Sequence, residues 1–125
     1  MPLTLSEVEL VDGIAIYRIA GDSGLTAAVR MVTQAIERAV QARHRCCLID
    51  ATQLEGLRPP SVAARYEMVR AWALAAEGRV HCALLVRPEL IDHERIGVAA
   101  ARNFGLSSDV FHVEAEAMAW LRNHV

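Results

Sequence analysis

Lysine is absent from this chain of 125 residues, so arginine supplies all 13 of its basic side chains. Without lysine, the protein can form neither a Schiff base nor the lysine contact of a phosphate-binding P-loop. The arginines are scattered along the chain and the formal net charge is -2, so no basic stripe favours nucleic acid. We therefore expect no nucleic-acid partner.

Secretory leaders and long apolar runs are missing as well. Residues 1–10 lack the basic segment followed by an apolar segment that a signal peptide has. No apolar run approaches the roughly 20 residues that a helix needs to cross a bilayer. Cys46, Cys47 and Cys82 are an odd number of cysteines without a secretory signal, which argues against a disulfide framework. These absences predict a cytoplasmic protein with reduced thiols and no insertion into a membrane.

Common catalytic and metal-binding motifs do not occur. The sequence contains no G-x-S-x-G elbow, P-loop, G-x-G-x-x-G or H-E-x-x-H. Neighbouring residues of a strand point to opposite faces, so Cys46 and Cys47 cannot share a metal ion, although Cys82 could approach one of them. The five histidines are dispersed. We therefore expect no metal, no cofactor and no enzymatic activity; an enzyme built around Asp50, His81 or Cys82 is the alternative.

What the chain does contain is the composition of a folded domain. Apolar residues make up 54% and charged residues 22% of the sequence. A chain of this length can bury roughly two thirds of its unfolded surface, which is enough for one core without staples. We therefore expect a single domain over residues 1–125.

The first part of the chain predicts two antiparallel strands. Residues 3–10 alternate loosely between apolar and polar side chains, and a second apolar run extends over residues 14–19. Asp12 and Gly13 lie between the two runs and favour a tight hairpin, because both residues tolerate positive φ.

Helices and strands alternate after this hairpin. Apolar spacing, capping residues and glycine stops predict helices at 25–40, 61–77, 92–104 and 114–121, and strands at 46–49, 80–86 and 110–111. Asp22 or Ser23 is the expected cap of the first helix, and Asp92 that of the third. The resulting order, β-β-α-β-α-β-α-β-α, is an α/β fold with a small mixed, mainly parallel sheet of about five strands and about four helices.

Four polar residues follow the first central strand. Asp50 is expected at its carboxyl end, where ligands of open α/β sheets gather, and Thr52, Arg58 and Ser61 follow in the predicted loop. With the amino end of the next helix supplying amide donors, these residues would form a small polar site. The alternative is structural: Asp50 caps a turn, Thr52 covers the strand end and Ser61 is the helix N-cap.

Two stretches of the chain carry a family resemblance. In the tail, residues 102–106 (RNFGL) precede a short strand and an acidic, alanine-rich helix that closes in Trp120 and Leu121. Residues 47–52 (CLIDAT) form an apolar strand ending in an aspartate. Together they resemble the STAS/SpoIIAA-like superfamily, in its bacterial SpoIIAA-like branch. The resemblance implies a small mixed sheet with helices packed on it and a regulatory function.

The resemblance also singles out Ser61. Better-known members of the superfamily are anti-sigma factor antagonists that are switched by phosphorylation of a serine at the start of the second helix, in a D-S-[ST]-G-like turn. Ser61 is the residue that corresponds, but Pro60 precedes it and no glycine follows. A phosphate at this position would be stabilised by the helix dipole and would repel an acidic partner.

The sequence favours one function and leaves a second one open. The favoured one is a non-enzymatic regulatory module that binds an unidentified protein, with a homodimer expected where a helix face is self-complementary. The alternative is a protein that binds a small apolar or lipid-like ligand. The side chains that would line its pocket are Tyr66, Met68, Trp72 and Met118. A closed core without a cavity of about 300 Å³ would count against this alternative.

Overall fold

The computed structural model describes residues 2–22, 24–92 and 95–125. Its strands are β1 (Thr4–Leu5), β2 (Glu9–Val11), β3 (Ile14–Gly21), β4 (Cys46–Leu54), β5 (His81–Leu85) and β6 (Ser108–Phe111). Its helices are α1 (Gly24–Gln41), α2 (Val62–Ala76), α3 (Ile96–Asn103) and α4 (Glu114–Arg122), with a short 3-10 helix at Pro88–Leu90. The alternating α/β order is confirmed, whereas the cap expected at Ser23 lies outside the described residues.

The strand expected over residues 3–10 is divided in two, and both parts pair antiparallel with β3. Between them, the N–H of Ser6 donates to the carbonyl of Arg18 at 2.9 Å, and the hydroxyl of Ser6 accepts from the N–H of Arg18 at 2.9 Å. Residues 6–8 therefore face only residues 17–18 across the ladder, which is the arrangement of a β-bulge. The expectation of one uninterrupted strand was wrong because a serine side chain replaces a backbone partner.

The predicted hairpin is confirmed. Asp12 and Gly13 connect β2 to β3 with φ values of 53° and 79°. Positive φ at both central residues gives the turn a twist that matches the paired strands. Val11 and Ile14 consequently face each other directly on either side of the turn.

The sheet is mixed and mainly parallel, as expected. Its strand order is β1-β3-β4-β5-β6, with β2 also paired to β3. The pairs β3–β4, β4–β5 and β5–β6 are all parallel. Parallel neighbours need a crossover connection, and α1, α2 and α3 supply the three that this sheet requires.

The two faces of the sheet have different covers. One, the three-helix face, packs against buried residues of α1, α2 and α3 and includes Tyr17, Cys47, Ile49 and Cys82. The other, the α4 face, packs against α4 and includes Ile16, Cys46, Leu48 and Leu85. Side chains alternate along each strand, so neighbouring residues enter different cores.

Within the described ranges, no helix is both long and apolar enough to span a membrane.

Candidate functional site

Asp50 lies inside β4 rather than at its end. β4 continues to Leu54, because its later residues still pair with β3: Gln53 is registered with Ala20 and Leu54 with Gly21. The expectation that Asp50 terminates its strand, with Thr52 in a loop, was therefore wrong. Regular alternation of side chains is broken here, because the β3–β4 register shifts by one residue between Arg18 and Ala20, yet the hydroxyl of Thr52 still reaches the carboxylate of Asp50.

Both carboxylate oxygens of Asp50 already have donors. Oδ2 accepts from Nη1 of Arg18 at 2.7 Å, and Oδ1 accepts from the backbone N–H of Thr52 at 2.9 Å and from its hydroxyl at 2.6 Å. Asp50 is only 6% exposed. A buried carboxylate needs such partners to offset its desolvation. The arrangement makes Asp50 an anchor between strands.

Arg18 joins this carboxylate to two others. Its Nη1 also donates to Oε1 of Glu114 at 2.8 Å, and its Nε lies 3.6 Å from Oε1 of Glu9. The hydrogen bonds to Glu114 and then to Asp50 raise the pKa of Arg18, which remains positively charged. The group ties β2, β3 and β4 to the first turn of α4. We call Arg18, Asp50, Thr52 and Glu114 the polar anchor.

Sequence reasoning missed two members of the polar anchor. Arg18 is the charged residue of the otherwise apolar strand β3. Asp50 is the charged residue of the apolar run that opens β4, and the two residues are in register. The matching positions of these two charges were the signal that could have predicted their contact. No comparable signal pointed to Glu114, because its contact with Arg18 spans 96 positions of the chain.

Arg58 and Ser61 lie apart from the polar anchor. Ser61 is exposed and is the N-cap of α2, where its hydroxyl accepts from the N–H of Ala64 at 3.1 Å. Arg58 is exposed and lines the rim of a cavity on the three-helix face. Among the residues that the structure describes, no hydrogen bond joins these two side chains to Asp50 or Thr52. The four residues do not form the single polar site that the sequence suggested.

The thiols of Cys47 and Cys82 meet inside the three-helix face, as the sequence allowed. Their sulfur atoms are 3.5 Å apart, and Cys46 points into the other core. The hydrogen bond to Cys82 and then burial raise the pKa of Cys47 well above its usual value. The reactive thiolate is therefore disfavoured. Because Cys82 lies on the opposite face from Asp50, these two residues cannot act on one substrate atom.

A stack of rings fixes the carboxyl end of α4. The ring centroid of His124 is 4.4 Å from that of Trp120 and 4.5 Å from that of His81. Nδ1 of His124 donates to the carbonyl of Trp120 at 2.9 Å, and Nδ1 of His81 lies 2.7 Å from the hydroxyl of Ser107. His81 is half-buried, as expected from its alternation with apolar neighbours.

The free energy of unfolding is expected to fall as the pH is lowered through 6.5. Burial, followed by the nearby charges of His124 and Arg45, lowers the pKa of His81 below 6.5. The unfolded chain then binds this proton more readily than the folded one, so stability is retained above pH 6.5 and lost below it. Urea denaturation at several pH values should give a smaller slope for His81→Gln. The control Asn103→Gln, at an exposed position that does not titrate, should keep the wild-type slope; equal slopes in all three proteins would contradict the assignment.

An apolar cavity lies between the three-helix face and its helices. Its volume is about 140 Å³, and Met68 and Trp72 are among its lining residues. Of the other pocket residues expected from the sequence, Tyr66 is 45% exposed and Met118 lies in the core beneath α4. Ligand pockets usually have volumes of about 300 Å³ or more. The cavity therefore lends no support to a carrier of lipid-sized ligands.

The side chains that most often ligate metals are dispersed over the fold. Across residues 2–22, 24–92 and 95–125, no group of three or more His, Cys, Asp or Glu side chains is placed to hold a metal ion.

Comparison with solved structures identifies a relative in fold. The chain is similar to the crystal structure of an anti-sigma factor antagonist from Mycobacterium paratuberculosis, with a TM-score of 0.63 and 18% sequence identity. The match covers 97% of this chain and 95% of that chain. The sequence matches no family model and no curated protein. At this identity the likeness shows the fold, and the SpoIIAA-like fold expected from the sequence is confirmed.

Proposed function

We propose that this chain is a non-enzymatic, cytoplasmic regulatory module that binds a protein partner through residues 55–62. The observation that carries the proposal is the exposure of this segment, which connects β4 to the amino end of α2. Glu55, Arg58, Ser61 and Val62 are all exposed, and Val62 is an apolar side chain with 53% of its surface accessible. Loops and helix ends held by a rigid sheet are where binding residues concentrate.

The charge around Ser61 supports a role in switching. Nε of Arg65 donates to the carbonyl of Pro60 at 3.2 Å, and its two terminal nitrogens approach the carbonyl of Leu90 at 3.4 and 3.5 Å. A guanidinium is therefore held beside the peptide that precedes Ser61. A phosphate on Ser61 would meet this charge and the dipole of α2, and it would change the sign of the surface shown to a partner.

Polar side chains that could act in catalysis already have partners inside the fold, which supports a binding role over catalysis. Asp50 directs both oxygens to Arg18 and Thr52, and the thiol of Cys47 is buried against that of Cys82. A general base or nucleophile must reach a substrate atom. The structurally similar protein from Mycobacterium paratuberculosis is an anti-sigma factor antagonist, so an anti-sigma factor is the first partner class to test.

Two variants of Ser61 are expected to separate the charge from the cap. Both Ser61→Asn and Ser61→Asp retain a side-chain acceptor for the first turn of α2, but only the aspartate adds a negative charge. We expect the asparagine variant to retain a partner captured by the wild type, and the aspartate variant to weaken it by roughly tenfold. Affinity capture from the native host, followed by titration of the purified partner, measures both effects.

The control for the binding surface is Glu9→Gln, which removes an exposed charge on β2, outside residues 55–62. Equal affinity of the asparagine and aspartate variants would show that Ser61 is no switch. A wild-type protein that captures nothing beyond the unloaded resin would contradict the binding role itself.

A further inference from the structure

The outer side of α2 carries an unpacked ridge of large side chains. Val62, Tyr66 and Leu74 are 53%, 45% and 72% exposed, and Arg70 is exposed between them. These residues are spaced by four positions, so they form one ridge along the helix. The inner side of the same helix buries Val69, Trp72 and Ala76. We call Val62, Tyr66, Arg70 and Leu74 the outer stripe.

The outer stripe is complementary to itself when reversed. If two copies of α2 meet antiparallel across a two-fold axis near position 68, Val62 faces Leu74 of the second copy. Tyr66 then faces Arg70 of the second copy. The first pair joins apolar to apolar side chains, and the second places a guanidinium over an aromatic ring, a favourable arrangement. Each pair occurs twice by symmetry, as an isologous contact requires.

Helix packing geometry also suits this pairing. Ridges of residues four apart on two helices commonly pack beside each other with the helix axes crossing at about -50°. Such a crossing makes the two ridges parallel, so the stripe of one copy runs alongside that of the other and each side chain lies next to its counterpart.

We propose that the outer stripe is the contact surface of a homodimer built from two antiparallel copies of α2. The inference goes beyond the proposed function, because it concerns the purified chain alone and needs no other protein. One helix face buries less than the roughly 800 Å² per partner of a standard interface. The dimer is therefore weak, with a dissociation constant on the order of 100 µM.

Sedimentation equilibrium over a wide concentration range tests the surface. We expect a monomer–dimer equilibrium for the wild type and a roughly tenfold weaker dimer for Leu74→Ser. The matched control is Leu10→Ser, because Leu10 is also an exposed leucine, at 60%, but lies on β2. A wild type that stays monomeric to about 500 µM, or equal weakening by both variants, would overturn the proposal.

Disulfide trapping tests the register. Antiparallel pairing places Val62→Cys directly against Leu74→Cys of a second copy, whereas two copies of the same variant hold their new thiols about 18 Å apart. A mild oxidant should link an equimolar mixture at least about tenfold faster than either variant alone, because disulfides need Cα atoms within about 7 Å. The native cysteines are buried and give little background. Equal rates in the mixture and in the single variants would exclude the register. Val62 belongs to both proposed surfaces, so partner binding at residues 55–62 is tested separately, by the Ser61 variants.

Discussion

Replacing Asp50 by alanine is expected to lower the free energy of unfolding by about 3 kcal/mol. Asp50 is 6% exposed and accepts hydrogen bonds from Arg18 and Thr52. The substitution leaves the hydroxyl and N–H of Thr52 without their acceptor and takes from Arg18 its most buried partner. The loss lies at the low end for buried ion pairs, because Arg18 is partly exposed and keeps Glu114. Chemical denaturation at neutral pH measures it.

Two further variants separate burial from charge. Glu9→Ala removes a carboxylate 3.6 Å from the same guanidinium, but the side chain of Glu9 is 60% exposed, so the cost should stay below about 1 kcal/mol. Asp50→Asn keeps one oxygen for Thr52 and should fall between the two alanine variants. Similar losses for Asp50→Ala and Glu9→Ala would show that the polar anchor does not hold the strands together.

Local signals explain how much of the fold was predictable from the sequence. The turn at Asp12 and Gly13 depends on the φ preference of two adjacent residues, and the buried stripe of α1 depends on spacing within one helix. The bulge at Ser6 depends instead on a hydrogen bond to Arg18, 12 positions away. The true end of β4 depends on its pairing with β3. Neither contact leaves a local pattern, so both boundaries were predicted wrongly.

The same distinction applies to the candidate site. The contact of Asp50 with Thr52 and the cap that Ser61 gives to Ala64 span two and three positions, and residue type alone suggested both roles. Arg18 reaches Asp50 across 32 positions and Glu114 across 96. Those contacts exist only once the strand order and the side of the sheet taken by α4 are set. The strand order and the placement of the helices also decide which residues line one cavity.

Replacing Trp72 by alanine is expected to lower the free energy of unfolding by about 4 kcal/mol. Trp72 is 7% exposed, and its ring packs α2 against the three-helix face beside the apolar cavity of about 140 Å³. Its Nε1 also donates to the carbonyl of Val29 on α1 at 3.3 Å. Truncation therefore removes apolar contacts, enlarges the existing cavity and breaks the hydrogen bond between α2 and α1. Thermal and urea denaturation at low protein concentration measure the loss.

The matched control lies two positions along the same helix. Leu74 is 72% exposed, so Leu74→Ala should cost no more than about 0.5 kcal/mol in the monomer. Trp72→Phe keeps most of the ring but not the donor, and should cost about 1 to 2 kcal/mol. If Trp72→Ala cost no more than Leu74→Ala, the inner side of α2 would not be what holds this helix on the sheet. The outer stripe would then not be the free side of α2, because the buried position of Trp72 and the exposed position of the outer stripe depend on the same orientation of the helix.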